Sequence, residues 1–588
     1  MTCIASLLLS LVLSSVSLAQ LPLPSSPWLP PNATFGASPS NSSSNSTDTA
    51  NPQWSTLLGD LLYFYEEQRS GKLPSTNRVP WRNDSATDDG SDVGLDLSGG
   101  YYDAGDYIKY TFPMSYTVMS VCWGALDYGK GYELANQTAY LDDMIRWSMD
   151  WLTKAHPEPN TLYVQVGNAD LDNAYWGGDQ SIPGNRTSFP INATHPGTDA
   201  AAQASAAFSA CSALYANRTL SGSSTTALAN SSYARMLLNH AQQLYSFATN
   251  SSIQQVTYQK SVPSVGQAYA SSDYSDELAI AGLFLALAGN SSDAYNQAVQ
   301  TYQNQKLFGR IQGGDVFNWD EKTPGVIVLG AQLMQAYPDL SAGNQMNWTS
   351  DLVVYCDGIV NGASRAYLTP GGLLYYPGDS DDASLNPALN AAMLIKRVAD
   401  SNILSSDKAA SYRQFAQSQI DYVLGNNPMT VPYIVGIHPN APANPHSALS
   451  TGASPQDIAN LDTVPLHEAY ILYGGVVGGP DKDDRFWDLR SDWVQGEVGL
   501  DYIAPMVTLA AQSIVNGTGD PFYTTLQVGS YEERRPSGAP CDNAINSGCP
   551  GSGSWRVGKI IMAVFVSVAG AVVFALLFFW LYVEVQNR

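Results

Sequence analysis

TAYLDDMIRWSMDWLTKAH, residues 138–156, sets Leu141, Met144, Ile145, Met149, Leu152 and Ala155 three and four positions apart. That is the spacing of one face of an α-helix. The same period returns in TDAAAQASAAFSACSALYA (198–216), SDELAIAGLFLALAG (275–289), GVIVLGAQLMQAY (325–337), NPALNAAMLIKRVAD (386–400) and SYRQFAQSQIDYVLG (411–425). Runs of alternating β-type residues are few, so an all-α fold is expected. Long loops rich in aromatic residues, Gly and Asp separate the helical stretches. Loops beyond about 12–15 residues are either functional or disordered, and these are too aromatic for disorder. A helical scaffold carrying site-building loops on one face follows.

The chain of 588 residues is 44% hydrophobic, enough for a sizeable core, and only 14% charged, against roughly 25% in an average soluble protein. Its 34 Tyr and 13 Trp present flat faces with a polar handle. The net charge of −24 comes with no Lys/Arg cluster, which excludes a nucleic-acid binder. Acidity of this kind suits a neutral ligand, and equally solubility alone.

Residues 1–19 read as a signal peptide ending at Ser17-Leu18-Ala19. Asn-x-Ser/Thr sequons stand at Asn32, Asn41, Asn45, Asn83, Asn136, Asn185, Asn192, Asn217, Asn230, Asn250, Asn290, Asn347 and Asn516, as in a secreted glycoprotein. Residues 20–50, rich in Pro, Asn and Ser, are expected to be disordered. Residues 51–515 show no linker-like break and read as one domain, followed by a stalk over 516–555. Ile560–Val583 is uncharged and long enough to cross a hydrocarbon core of about 30 Å. With the signal peptide setting orientation, the domain lies outside the cell and residues 584–588 form a cytoplasmic tail. A glycolipid anchor is the alternative; the polar end EVQNR argues against it.

Five Cys remain after the leader. Cys541 and Cys549 could close a small loop. Cys122, Cys211 and Cys356 are buried thiols, or one pair and one free thiol. No Cys/His spacing suits zinc.

Two stretches carry candidate chemistry. GGYYDAGDYIKY (99–110) puts Asp103 and Asp106 three apart around Gly105. FWDLRSDWVQGEVGLDY (486–502) sets Asp488, Asp492, Glu497 and Asp501 among aromatic residues. Sugar rings stack on Trp and Tyr while carboxylates bond their hydroxyls. A carboxyl in an apolar aromatic wall has a raised pKa and can act as a general acid. Two carboxyl groups on opposite sides of a glycosidic bond are the minimum machinery for its hydrolysis.

These stretches resemble glycoside hydrolase family 9, the cellulase family that includes many endoglucanases. The resemblance runs through YEEQRSGKLP (65–74), DLSGGYYDAGDYIKY (96–110), VGNADLDNAYW (166–176), HPGTDAAAQASAA (195–207), SSDYSDEL (271–278), FNWDEKTPGVIVL (317–329), LGNNPMTVPYIVGIHPNAPANPH (424–446) and GGPDKDDRFWDLRSDWVQGEVGLDY (478–502). It implies an (α/α)6 barrel with a cleft on one face, and hydrolysis of internal β-1,4-glucosidic bonds with inversion. Asp106 matches the general base, Asp103 the second carboxylate on the nucleophilic water, and Glu497 the general acid, with Gly105 allowing a tight turn between the two aspartates. Asp488 matches a supporting acid and His446 the active-site histidine. Trp176, Tyr502 and Asp492 are taken as substrate-binding, and Trp319 as structural. Ser272, Asp273, Asp276, Glu277 and Asp320 match oxygen ligands of a structural Ca2+ site, whose bland reading is a helix N-terminus; no organic cofactor is implied. A monomer acting on β-1,4-glucan and held to the membrane by its C-terminal helix is expected.

The chain departs from the family at Ala448, where an Arg is usual, at Asn173 in place of His, and at Gly496, Gly499 and Ile503. A catalytically impaired, β-glucan-binding surface glycoprotein is the rival expectation. It would be expected to lose one of Asp103, Asp106 or Glu497, and none is lost.

Overall fold

Every residue of the helix Thr198–Tyr215 is buried, the polar Asp199, Gln203, Ser205, Ser209 and Ser212 included. It is one of twelve helices of at least thirteen residues in the computed structural model, which describes residues 20–549 except 35, 37–49, 314–315, 343, 345 and 363. They are α1 (Pro52–Glu67), α2 (Thr111–Leu134), α3 (Thr138–Ala155), α4 (Thr198–Tyr215), α5 (Ser231–Thr249), α6 (Ser275–Gly289), α7 (Ser292–Asn304), α8 (Thr323–Ala336), α9 (Trp348–Val360), α10 (Leu385–Asp400), α11 (Ser406–Val423) and α12 (Leu500–Val515).

The even-numbered helices close a ring: α2 packs on α4, α4 on α6, α6 on α8, α8 on α10, α10 on α12, and α12 on α2. Each odd-numbered helix backs one of them: α3 on α2, α5 on α4, α7 on α6, α9 on α8, α11 on α10, and α1 on α12. Sequence separates the two rings. Inner α6 is buried from Ser275 to Ala288. Outer α7 buries only Ala294, Tyr295, Ala298, Val299 and Tyr302, one stripe at helical spacing. The result is an (α/α)6 barrel. It also carries a three-stranded antiparallel sheet (Lys109–Tyr110, Thr161–Val166, Ser188–Asn192) and a two-stranded one (Tyr367–Leu368, Leu374–Tyr375), so it is not purely helical.

The connections are lopsided. Links from inner to outer helices include the short turns 135–137, 290–291 and 401–405. Links entering the inner helices are long: 68–110, 156–197, 250–274, 305–322, 361–384 and 424–499. Long loops therefore gather where the inner helices begin, and the positive ends of six helix dipoles face that side.

Two domain expectations need correction. Residues 20–34 are not a free tail. Leu21 N donates to Asp142 Oδ2 (2.6 Å), Trp28 N donates to the Tyr140 hydroxyl (2.8 Å), and Arg78 donates to Trp28 O (3.0 Å). The Trp28 indole lies where a Cβ on Gly59 would come within 2.5 Å of it. Composition alone could not reveal these sockets. The first part of the presumed stalk likewise belongs to the barrel domain, which runs to Arg535. Trp54 Nε1 donates to Gly519 O (2.8 Å), and the buried Tyr531 donates to Phe486 O (3.1 Å). Residues from Pro536 form a separate unit, in which Cys541 is bonded to Cys549.

A second disulfide, Cys122–Cys211, joins α2 to α4, and Cys356 is a buried free thiol, so the pair-plus-one alternative holds. The sequon asparagines among the described residues are exposed or half-buried. Asn230 and Asn347 cap α5 and α9 through their side-chain oxygens, which leaves the amide nitrogens for glycan. The signal peptide (1–19), the membrane span (560–583) and the tail (584–588) lie outside the described residues. Among the described residues no helix is long and apolar enough to cross a membrane.

Candidate active site

Asp103 and Asp106 lie on the loop that enters α2. Asp103 N donates to Ile108 O (3.0 Å) and Gln68 Nε2 donates to Ala104 O (2.5 Å), so the turn is pinned from both sides. Gly105 is not in the left-handed region. Its need is space: a Cβ there would come 2.1 Å from His446 O. Through that contact Ala448 N donates to Gly105 O (2.8 Å). The tight-turn explanation for Gly105 is therefore replaced by close backbone approach.

Glu497 follows a short helix, Trp493–Gly496, just before α12. Its segment is sewn to both others. His446 N donates to Gly496 O (2.8 Å), Gly478 N donates to Glu497 O (2.9 Å), and Leu500 N donates to Asp103 O (3.0 Å). His446 Nδ1 lies 2.6 Å from Arg490 O. A carbonyl can only accept, so Nδ1 carries the proton and Nε2 is bare. The imidazole rests on Trp176 with ring centres 4.8 Å apart, and burial pulls its pKa down.

Asp103, Asp106, Glu497, His446, Trp176 and Tyr502 all line one cleft of about 770 Å3. Asn173 and Ala448 line it too, beside Ile458 and Leu461, and no Lys or Arg is among the described lining residues. Where the family usually has an Arg, this cleft has an apolar wall.

Burial pushes Glu497 up to about 8, with Asp501 adding to the rise. Asp501 is itself raised by burial, to about 7. Asp103 is raised well above the carboxylate range by burial. The Tyr269 hydroxyl, which donates to its Oδ2, opposes that. Asp103 Oδ1 is buried with no hydrogen-bond partner among the described residues. Asp106 is raised by burial, then by Asp172, Asp103 and Glu497.

Asp172 was not singled out from the sequence, although it lies in VGNADLDNAYW. It accepts from Tyr107 N (3.1 Å) and lies beside Asp106, whose pKa it raises. Two neighbouring carboxylates repel each other, so this pair does not titrate independently. Tyr269 and Asp501 are further contributors that no local pattern marks.

The remaining expectations divide. Asp488 lies outside the cleft lining: it accepts from Ala443 N (3.0 Å) and Asn444 N (3.1 Å) and so shapes the loop that ends at His446. It does so at φ 52°, a strained conformation for Asp. Asp492 is not a substrate contact. It is fully buried and caps the 493–496 helix, accepting from Gln495 N (3.2 Å). Trp319, expected to be structural, does line the cleft, and so does Trp493.

The calcium set is also revised. Among the described residues no group of three or more His, Cys, Asp or Glu is arranged to hold a metal. Arg310 reaches Asp273 and Asp276, Lys322 reaches Glu277 (2.7 Å), and Asp320 accepts from Ser272 N (2.8 Å). The residues present are not arranged around a calcium ion: protein cations and amides take at least one oxygen of each acid, and Glu277 Oε2 is left buried without a hydrogen-bond partner among the described residues.

A family model described as Glycosyl hydrolase family 9 matches residues 54–510. Endoglucanase A of Bacillus pumilus is 36% identical over 455 residues, which are 76% of this chain and 64% of that protein. Endoglucanase 15 of Arabidopsis thaliana is 34% identical over 487 residues, 79% of this chain and 94% of the relative. The endoglucanase of the termite Nasutitermes takasagoensis, solved at pH 2.5, superposes with a TM-score of 0.69 at 35% identity, covering 79% of this chain and 98% of that one. The cellulase Cel9M of C. cellulolyticum does so with a TM-score of 0.67 at 28% identity, covering 78% and 98%.

Proposed function

The chain belongs to glycosyl hydrolase family 9, and from that premise we propose that it is an endo-β-1,4-glucanase cleaving internal bonds of cellulose or a related β-glucan with inversion. The observation that carries this reading is a cleft that sets a carboxyl poised near pH 8, Glu497, among other acids with no lining Lys or Arg. A glucan is neutral and needs no cation to hold it. Its rings stack on Trp176, Trp319, Trp493 and Tyr502, which line the same cleft.

In this reading Glu497 gives its proton to the leaving glycosidic oxygen. A water on the opposite face of the sugar attacks the anomeric carbon and passes its proton to Asp106. Asp103 holds that water through Oδ1, while Tyr269 occupies its other oxygen. Asp172 lies beside Asp106 and raises its pKa, which sets the pH at which the base becomes ionised. His446 and the loop shaped by Asp488 place the sugar beside Glu497. Hydrolysing a cello-oligosaccharide and following fresh product by NMR tests the scheme: the α-anomer should appear first. Initial β-anomer would mean retention and a covalent intermediate.

We further propose that this domain acts outside the cell and is anchored by residues 560–583. Support comes from the leader-like residues 1–19, the surface sequons and the uncharged length of the segment. The protein should stay with membranes through high-salt and carbonate washes. Release by the washes refutes the anchor, and release by a phosphatidylinositol-specific phospholipase identifies a lipid anchor instead.

A further inference from the structure

Five acids, Asp273, Asp276, Glu277, Asp320 and Glu321, crowd the start of α6 and the loop entering α8. Their cations come from the chain itself. The Arg310 guanidinium sits among three of the acids. Nη2 reaches Asp273, and Nη1 lies 3.1 Å from Asp276 Oδ1 and 3.0 Å from Glu321 Oε2. Lys322 Nζ is 2.7 Å from Glu277 Oε1, both side chains fully buried, and it also donates to Trp319 O. Main-chain N–H groups take further oxygens: Lys322 N donates to Asp276 Oδ2 (2.5 Å), Thr323 N to Glu321 Oε1 (2.7 Å) and Ser272 N to Asp320 Oδ1 (2.8 Å).

We propose that Arg310 is the resident cation of this cluster, standing where a bound calcium ion would otherwise be needed, so that the cleft wall holds without metal. A calcium ion needs six to eight oxygens converging on one point. Here Asp273, Asp276 and Glu321 converge on a planar fork of N–H donors, the geometry guanidinium matches with carboxylates. Arginine keeps its charge across the working pH range, so the neutralisation is permanent and needs no ion from the medium.

The cluster matters to the cleft through one chain of contacts. It fixes residues 318–323. Trp319 on that loop packs edge-on against Tyr269 with ring centres 4.9 Å apart, and the Tyr269 hydroxyl donates to Asp103. Arg310 therefore stands three contacts away from Asp103. This inference is independent of the glucanase reading, because its readout is thermal unfolding and cation uptake.

The test uses purified full-length protein stripped with EDTA and then freed of chelator. Calorimetric titration with calcium chloride should give no saturable uptake, and millimolar calcium should move Tm by less than about 1 °C. A micromolar site would shift Tm by at least about 2 °C under those conditions. Arg310→Ala should melt several degrees lower and recover part of that loss in millimolar calcium. Arg310→Lys, which keeps one charge but loses the fork, should fall between. Stoichiometric calcium uptake by the wild type, or an Arg310→Ala protein that melts as the wild type does, overturns the proposal. The wild-type titration decides the matter even if the alanine variant does not fold.

Discussion

Glu497→Gln should lower turnover of β-1,4-glucan about 10²–10⁴-fold, the usual worth of general acid catalysis, with circular dichroism and Tm close to wild type. At 1.36 kcal/mol per decade this is about 2.7–5.5 kcal/mol of transition-state stabilisation. The amide keeps the shape of the side chain but has no proton that it can give to a leaving oxygen. The pH profile adds a sharper readout. Burial and the neighbouring Asp501 push Glu497 up to about 8. The acid must be protonated to act, so wild-type kcat/KM should hold up to about pH 8 and fall about tenfold per unit above it. That basic limb should be absent from the residual activity of the variant. The acidic limb should remain in both, because it belongs to the coupled group of Asp106 and its acidic neighbours. A variant within a few-fold of wild type on a substrate with a poor leaving group would remove Glu497 from the acid role.

The helical scaffold was legible from its spacing and the barrel from the family resemblance; the structure adds that the two rings differ in sequence texture. Residues 278–288, almost wholly apolar, sit inside, while 138–155, with one apolar face, backs the inner helix α2. Asp103, Asp106 and Glu497 stood out as acids set among aromatics and glycines, and the resemblance to family 9 gave them their roles. Residues whose partners lie far along the chain were not legible. Asp172 meets a side chain 66 positions earlier, and Tyr269 meets Asp103 across 166 positions. Asp492 was misread for the opposite reason. Its role is local: a helix-capping acid three residues before Gln495 looks, in sequence, like any acid set among tryptophans. Arg310 escaped notice because the ligand pattern it satisfies is written entirely in acids, and nothing in SSDYSDEL says which cation answers them. Residues 20–34 looked like a tail by composition, yet main-chain groups and one tryptophan were enough to lay them on α1 and α3.

Asp106→Ala should abolish hydrolysis to a comparable or greater extent, and the way activity returns should identify the step. The half-buried carboxyl lies near Asp172, Asp103 and Glu497, and desolvation and these like charges raise its pKa. As a proton acceptor it is needed only if the nucleophile is a water that must lose a proton. Azide is already an anion. It needs no base, and the shortened side chain leaves room on that face of the sugar. Added azide should therefore restore part of the turnover in Asp106→Ala, giving an α-glycosyl azide, and should do little for wild type. Asp103→Ala should behave differently. Its base remains, but the water loses the Oδ1 contact, so weak hydrolysis persists and azide gives no comparable gain. Asp172→Asn separates orientation from titration. The amide still accepts from Tyr107 N but carries no charge. Asp106 then faces one fewer like charge. Its pKa falls, and the acidic limb of kcat/KM moves to lower pH while KM changes little. A β-glycosyl azide from Asp106→Ala would mean attack from the face of the leaving group. An acidic limb unmoved in Asp172→Asn would mean that Asp172 does not tune the base. Either result breaks the link between this buried group of carboxyls and a single attacking water.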